Sequence, residues 1–305
     1  MRLGSVAFLE LKDDGGPMLR LLGPCLLATL VCWSGSPSAA PKPRESIESP
    51  TSARQHEYGS DDLESELRRD PVACLGRILR EYRAEVRSES FTCIKQERLG
   101  GRLEAEERID VLVREQPYAV RMLWRDGARS VAGSQVRGLL YTAGENRGRM
   151  TVWRPEALVT FLRFHDLSPT DSAARQSSRY SPTEASLGHT LERTHRSWSS
   201  AKTAGKLEFD HLGKQTIAKC GNKLCFVLKR TCREPECDPF LLEEALTTSA
   251  DDGAKFITIF LDAADGRQVG AELLRADGVL MGHYYFNSIV WNPKLGSKEF
   301  TRSGF

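Results

Sequence analysis

The chain of 305 residues lacks most of what announces a chemistry. It carries no nucleophile elbow, no Gly-rich phosphate loop, no His-Glu-x-x-His and no Asp-rich calcium loop. Histidine is scarce: His56, His165, His189, His195, His211 and His283 are dispersed along the sequence. His189 and His195 fall six apart on one predicted helix, so they point in different directions and cannot chelate an ion locally. An excess of either charge is also lacking. Lys+Arg of 43 against Asp+Glu of 41 gives a formal +2, which supports neither a nucleic-acid partner nor a polybasic membrane surface.

Long apolar runs are missing as well, with one exception near the start. Met18-Leu-Arg20, then mostly apolar Leu21 to Trp33, then Ser34-Gly-Ser-Pro-Ser-Ala-Ala40 make a charged start, a short apolar region and a small-residue tail. That is the pattern of a secretory signal peptide rather than of a membrane span. Residues 1–17 then read as an extension outside the natural start, and 18–40 as the signal peptide. No second run approaches 18 apolar residues, so no membrane span is expected beyond the signal peptide. Pro41 to Ser60 is rich in Pro, Ser, Glu and Gln with almost no large apolar residue, which reads as a disordered tether in a linker over 41–69. Residues 70–305, about 235 in all, suit one domain with a sizeable core in an exported, periplasmic or cell-envelope protein.

Two periodicities run through that domain. Asp70-Pro71 looks like an N-cap with proline at the first helical position, and Leu75, Ile78, Leu79, Tyr82 and Val86 follow at helical spacing to about Arg87. Arg108–Arg114 and Tyr118–Arg125 then alternate with period two, joined by Gln116-Pro117, as antiparallel neighbours. Leu139–Tyr141 and Met150–Trp153 flank a second hairpin turn, and residues 155–180 show no clear pattern. Ser181-Pro-Thr-Glu184 has the form of a capping box and predicts a helix burying Leu187, Leu191 and Trp198. Further strands are expected near 214–220, 224–230, 255–262, 268–275 and 282–291, with Asp262–Gly266 as a hairpin turn. The expected fold class is α+β: a long N-terminal helix packed on a curved, largely antiparallel sheet, an open half-barrel, with a helical insertion.

Six cysteines follow the signal region, at 74, 93, 220, 225, 232 and 237. The last four read Cys220-x4-Cys225-x6-Cys232-x4-Cys237, with gaps longer than zinc knuckles use. Export favours oxidation, so Cys220, Cys225, Cys232 and Cys237 are expected in disulfides rather than in a metal site, and no cofactor is expected. Cys220 and Cys225 flank Gly-Asn-Lys-Leu, a turn that could set them opposite each other, and Cys232 and Cys237 flank another tight loop. Cys74 with Cys93 is a less natural pair, and Cys93 with one of the later four is an alternative. A Cys93 hydrolase lacks any base singled out by spacing. The adjacent pairs Glu106/Glu107 and Glu243/Glu244 would point to opposite faces of a strand and read as solvated charges.

Several blocks in order resemble an exported bacterial family, domain of unknown function 1571: Phe91–Arg98 followed by Gly100-Gly101, Val113–Val120, Leu140–Asn146 and Ser178–Gly188. The resemblance runs from about Asp70 to Phe300, and the family supplies no catalytic residues. In architecture the chain looks like the periplasmic lipoprotein-carrier fold, in which an open half-barrel holds acyl chains under a helical lid. That similarity implies a non-enzymatic binder or carrier of a lipid-like ligand, the alternative being a structural or protein-interaction module of the envelope with a protein partner and no ligand. Phe256–Leu261 is apolar on both faces, as such a sheet requires. Met122 with Trp124, and Phe256 with Phe260, share faces of their own strands and are the expected lining of the concave side.

Overall fold

The computed structural model describes residues 60–127, 130–131, 134–157, 163–233 and 253–305. The expected extension, signal peptide, Cys237 and Glu243/Glu244 lie outside them. The first described element is α1 (Ser60–Arg69), a helix that buries Leu63 and Leu67. Residues 60–69, expected within the linker over 41–69, are therefore helical, because these two leucines find partners in the core. At Asp70 the chain bends into α2 (Pro71–Glu85). The Asp70 carboxylate accepts from the Ala73 N–H, and proline takes the first helical position, where no donor is missed. A helix of 15 residues thus stands over the span where the spacing from Asp70 to about Arg87 expects one, and α1 precedes it across the cap.

A sheet of twelve strands follows. Its strands are β1 (Ser88–Leu99), β2 (Arg102–Leu103), β3 (Glu107–Glu115), β4 (Tyr118–Asp126), β7 (Gly138–Thr142), β8 (Met150–Trp153), β9 (Phe164–Leu167), β10 (Glu208–Ile217), β11 (Lys223–Thr231), β12 (Phe256–Asp262), β13 (Gln268–Leu274) and β14 (Leu280–Trp291). The short pair β5 (Ser130–Val131) and β6 (Ser134–Gln135) stands apart. The order is β10-β11-β12-β13-β14-β1-β3-β4-β7-β8-β9, every pairing is antiparallel, and β2 pairs with β1 off this path. The ends β10 and β9 do not pair, so the sheet is open. Most strands pair with a neighbour in sequence, β1 pairs also with the distant β14, and the long connection from β9 to β10 holds α3 (Ser172–Ser177) and α4 (Leu187–Thr203). This is an α+β protein with a large unclosed antiparallel sheet.

The two faces of the sheet bury different sets. One packs Phe226, Leu228, Ile257, Ile259, Leu261 and Leu273 with the apolar sides of α1, α2 and α4 in the main core. The other buries Cys220, Cys225, Val227, Phe260, Val269 and Tyr285 in a second cluster. A bulge in β13 keeps Gln268 on the main face and turns Val269 to the other. Helices α2 and α4 pack closely because glycine stands at the crossing: a Cβ on Gly188 would lie 2.3 Å from the Tyr82 ring.

The start of α4 corrects the capping-box expectation. Ser181 caps only a 3-10 turn at Pro182–Glu184, and the α-helix begins at Leu187. Ser186 is its N-cap, accepting from the His189 N–H, and the Thr183 N–H occupies the Ser181 hydroxyl instead. Leu187, Leu191 and Trp198 are buried as the periodicity required.

Candidate ligand-binding cavity

Between the main face and α4 lies a cavity of about 540 Å³. Its floor follows the strand register. Phe91 faces Val111, Val111 faces Met122, Met122 faces Leu139 and Leu139 faces Val152, an apolar row across β1, β3, β4, β7 and β8. Ile257 and Ile259 of β12 and Leu167 of β9 line the same cavity. In the sheet order β12 and β9 stand eight strands apart, which in a flat sheet is about 38 Å at the usual spacing. One cavity touches both, so the sheet curls round it. The roof is the segment from Ser177 to Ala185 together with Thr190, Arg193 and Thr194 of α4. The roof is thus built from the insertion between β9 and β10, and no α2 residue reaches the cavity.

One end of this apolar space is charged. Along β1 the inward side chains run Phe91, Cys93, Lys95, Glu97. Lys95 Nζ donates to Glu97 at 3.2 Å and to Ser178 Oγ at 3.1 Å, and lies 3.5 Å from Glu107. Trp124 Nε1 donates to Glu107 at 2.8 Å, and the Tyr284 hydroxyl donates to Glu97 at 2.6 Å. Glu97 is 2 % exposed. Burial pushes its carboxyl up, but Lys95, the Tyr284 hydroxyl and the Arg179 N–H outweigh burial and hold it below the usual carboxylate range. Beside it, Arg193 lies 4.8 Å over the Tyr180 ring and pairs with Glu184 at 3.3 Å. Burial pushes the Cys93 thiol up to about 12, which is the wrong direction for a nucleophile.

The structure splits the four expected lining residues. Met122 and Trp124 line the cavity. Phe256 and Phe260 do not: Phe260 stacks on Tyr285 in the opposite cluster, and Phe256 carries Lys229 Nζ at 4.3 Å over its ring. Their neighbours Ile257 and Ile259 face inward instead. The adjacent glutamates do take opposite faces, but only Glu106 is half-exposed, bound to Lys219 and His283, while Glu107 is buried in the charged end. The expectation of two solvated charges is therefore corrected at Glu107, whose partner Lys95 arrives from the paired strand. Sequence reasoning missed Lys95, Glu97 and Tyr284 as site residues. The available signal was Lys95 and Glu97 alternating in phase with Phe91 and Cys93.

Cys74, Cys93, Cys220 and Cys225 are buried free thiols, and Cys232 is buried as well. Cys220 and Cys225 sit within hydrogen-bonding reach of each other, and that contact with burial pushes the Cys220 thiol up. No disulfide joins Cys220 to Cys225, which departs from the bridge expected there, while the expected partner of Cys232, Cys237, lies outside the described residues. Among the described residues no cluster of three or more His, Cys, Asp or Glu is placed to hold a metal, and no helix is long and apolar enough to cross a membrane.

Fold and cavity together define an α+β protein whose open antiparallel sheet curls under a helical roof. The family model for the protein of unknown function DUF1571 matches residues 86–303, and the chain belongs to that family. No curated protein matches it. Among solved structures it is similar to MucB, at 13% identity over 76% of this chain with a TM-score of 0.44, and it spans only 62% of that chain. It is also similar to the Mycobacterium tuberculosis lipoprotein LppX, at 12% identity over 74% of this chain and 98% of that one with a TM-score of 0.40. A LolA superfamily protein from Nitrosomonas europaea matches at 12% identity over 76% and 99%, with a TM-score of 0.32. These likenesses are too distant to be carried further.

Proposed function

We propose that this is a non-enzymatic binder or carrier of a lipid-like hydrophobic ligand, working outside the cytoplasm in the cell envelope. The observation that carries the reading is the cavity itself. Its volume of about 540 Å³ falls within the roughly 300–1,000 Å³ typical of pockets that hold one small ligand. An apolar row floors it, and a few polar groups converge at one end, the combination that holds and orients an amphiphile. Met122 and Trp124 are the proposed contacts on β4, with Ile257 and Ile259 opposite. Export is read from residues 18–40. In an oxidising compartment the adjacent thiols of Cys220 and Cys225 become the proposed disulfide.

Native mass spectrometry of the full chain, purified from an exporting host, tests both parts. A bound species of lipid mass is expected, together with the loss of two thiol hydrogens from the peptide holding Cys220 and Cys225. Val152→Trp, which fills the floor, should lose the bound mass while keeping the circular-dichroism spectrum. A wild-type protein that carries no lipid and takes up none from detergent-dispersed extracts would leave the envelope interaction module as the better reading.

A further inference from the structure

The charges inside the cavity are balanced and already engaged. Three cations, Lys95, Arg154 and Arg193, face three carboxylates, Glu97, Glu107 and Glu184. The three Lys95 donors are directed at Glu97, Glu107 and Ser178. Arg193 donates to the Glu184 carbonyl and carboxylate and to Thr190, and Arg154 has interactions of its own. An ionised ligand head would enter this space at the cost of its hydration and meet no net opposite charge. It would also have to break a buried pair to gain a partner, which leaves the displaced charge exposed to the same penalty. What the roof offers besides these pairs is uncharged: Ser177, Ser181 and Thr190 all line the cavity.

Resting on the ligand-binding reading above, we infer that the cavity selects an uncharged amphiphile, a hydrocarbon chain with a hydroxyl or ester head seated at the Lys95–Glu97–Glu107 end, and rejects free acids, lipid phosphates and amines. The apolar row from Phe91 to Val152 takes the chain, and the polar lining, whose charges cancel over the cavity as a whole, takes the head. Specificity comes from the desolvation of a charge that finds no compensation, so discrimination is strong even though no contact reads the head directly.

The test uses three probes of equal chain length: a monoacylglycerol, the corresponding fatty acid and the corresponding alkylamine. Each is titrated by calorimetry into delipidated full-chain protein at neutral pH. The monoacylglycerol should bind at least about tenfold more tightly than either ion, a difference of about 1.4 kcal/mol. In Glu107→Gln the end loses its excess negative charge and the cavity as a whole gains net positive charge, while the amide oxygen can still accept from Trp124, and the preference should move toward the fatty acid. Equal or tighter binding of the acid to the wild type overturns the inference and leaves the ligand-binding reading standing. A folded Glu107→Gln whose preference does not move places the head elsewhere and overturns it too. Failure of all three probes to bind overturns the ligand-binding reading itself.

Discussion

Strand β1 carries two almost wholly buried carboxylates, Glu89 near its start and Glu97 near its end, on the same face of the same strand. They meet burial in opposite ways. Glu97 has a cation, Lys95, two residues away on its own face, and with Tyr284 and a backbone N–H this keeps it ionised beside the cavity. Among the described residues no cation is within hydrogen-bonding contact of Glu89. Glu89 accepts from the Leu187 N–H at the head of α4, and its other oxygen lies 2.7 Å from the Tyr82 hydroxyl of α2, which lies 3.0 Å from Glu115 as well. Burial pushes the Glu89 carboxyl up to about 8 against those two contacts. A protonated Glu89 donates to Tyr82, whose own proton then goes to Glu115. One end of β1 is held by charge and the other by a shared proton. The first sets the chemistry of the cavity, and the second ties both helices to the sheet.

The sharpest way to break this contrast is to remove the cation. Lys95→Met leaves Glu97 and Glu107 buried together without their counter-charge, the kind of loss that costs about 3–5 kcal/mol. Urea unfolding of the variant should show that drop, and adding Glu97→Gln to Lys95→Met should restore part of it. A drop below about 1 kcal/mol would mean that the ion pair is solvated rather than buried.

The second prediction separates the two carboxylates by pH. The native state retains the Glu89 proton between the ordinary carboxylate value of 4.5 and about 8, where the unfolded chain releases it. Stability supplied by this group is therefore complete below about 4.5 and is lost as pH rises toward 8. Glu97 has the reverse sign: its contribution is present above the ordinary value and disappears as pH falls through its lowered one. Glu89→Gln, whose amide can still donate to Tyr82, should flatten the alkaline limb by an amount on the order of a few kcal/mol between pH 5 and 8. Glu97→Gln should flatten only the acid limb. Denaturant midpoints measured from about pH 3 to about pH 8 read both. An unchanged alkaline slope in Glu89→Gln would show that Glu89 is ionised in the folded protein.

The same strand shows how far the amino-acid sequence reaches. Hairpins, turns and the amphipathic sides of α2 and α4 were legible because each rests on local spacing: Asp70-Pro71, Asp262–Gly266, and Leu187 with Leu191 and Trp198. The mixed character of β12 was legible too, but its orientation was not. With Phe256 and Phe260 on one side and Ile257 and Ile259 on the other, both faces are apolar, and period two cannot say which one turns inward. Pairing decides it, because Ile257 and Ile259 oppose Leu273 and Ala271 on the cavity side of β13. Glu107 was opaque for a related reason. Its burial depends on Lys95, twelve residues away in sequence and directly opposite in the β1–β3 register.

That parity yields the smallest expected effect, and it compares the two faces within one experiment. Phe256 lies outside the cavity under Lys229, half-buried, so Phe256→Ser removes a cation–π contact and some packing. Its cost should be about 1 kcal/mol or less for the ring contact, with affinity for a neutral amphiphile unchanged within about twofold. Met122→Ser shortens a side chain that lines the floor between Val111 and Leu139. It should weaken the same probe at least about fivefold, since buried apolar surface is lost directly against the ligand. Both variants are read by one calorimetric titration, with thermal melts to confirm folding. Equal losses in the two would mean that binding responds to overall stability rather than to the cavity wall. A larger loss from Phe256→Ser would move the ligand to the opposite face of the sheet.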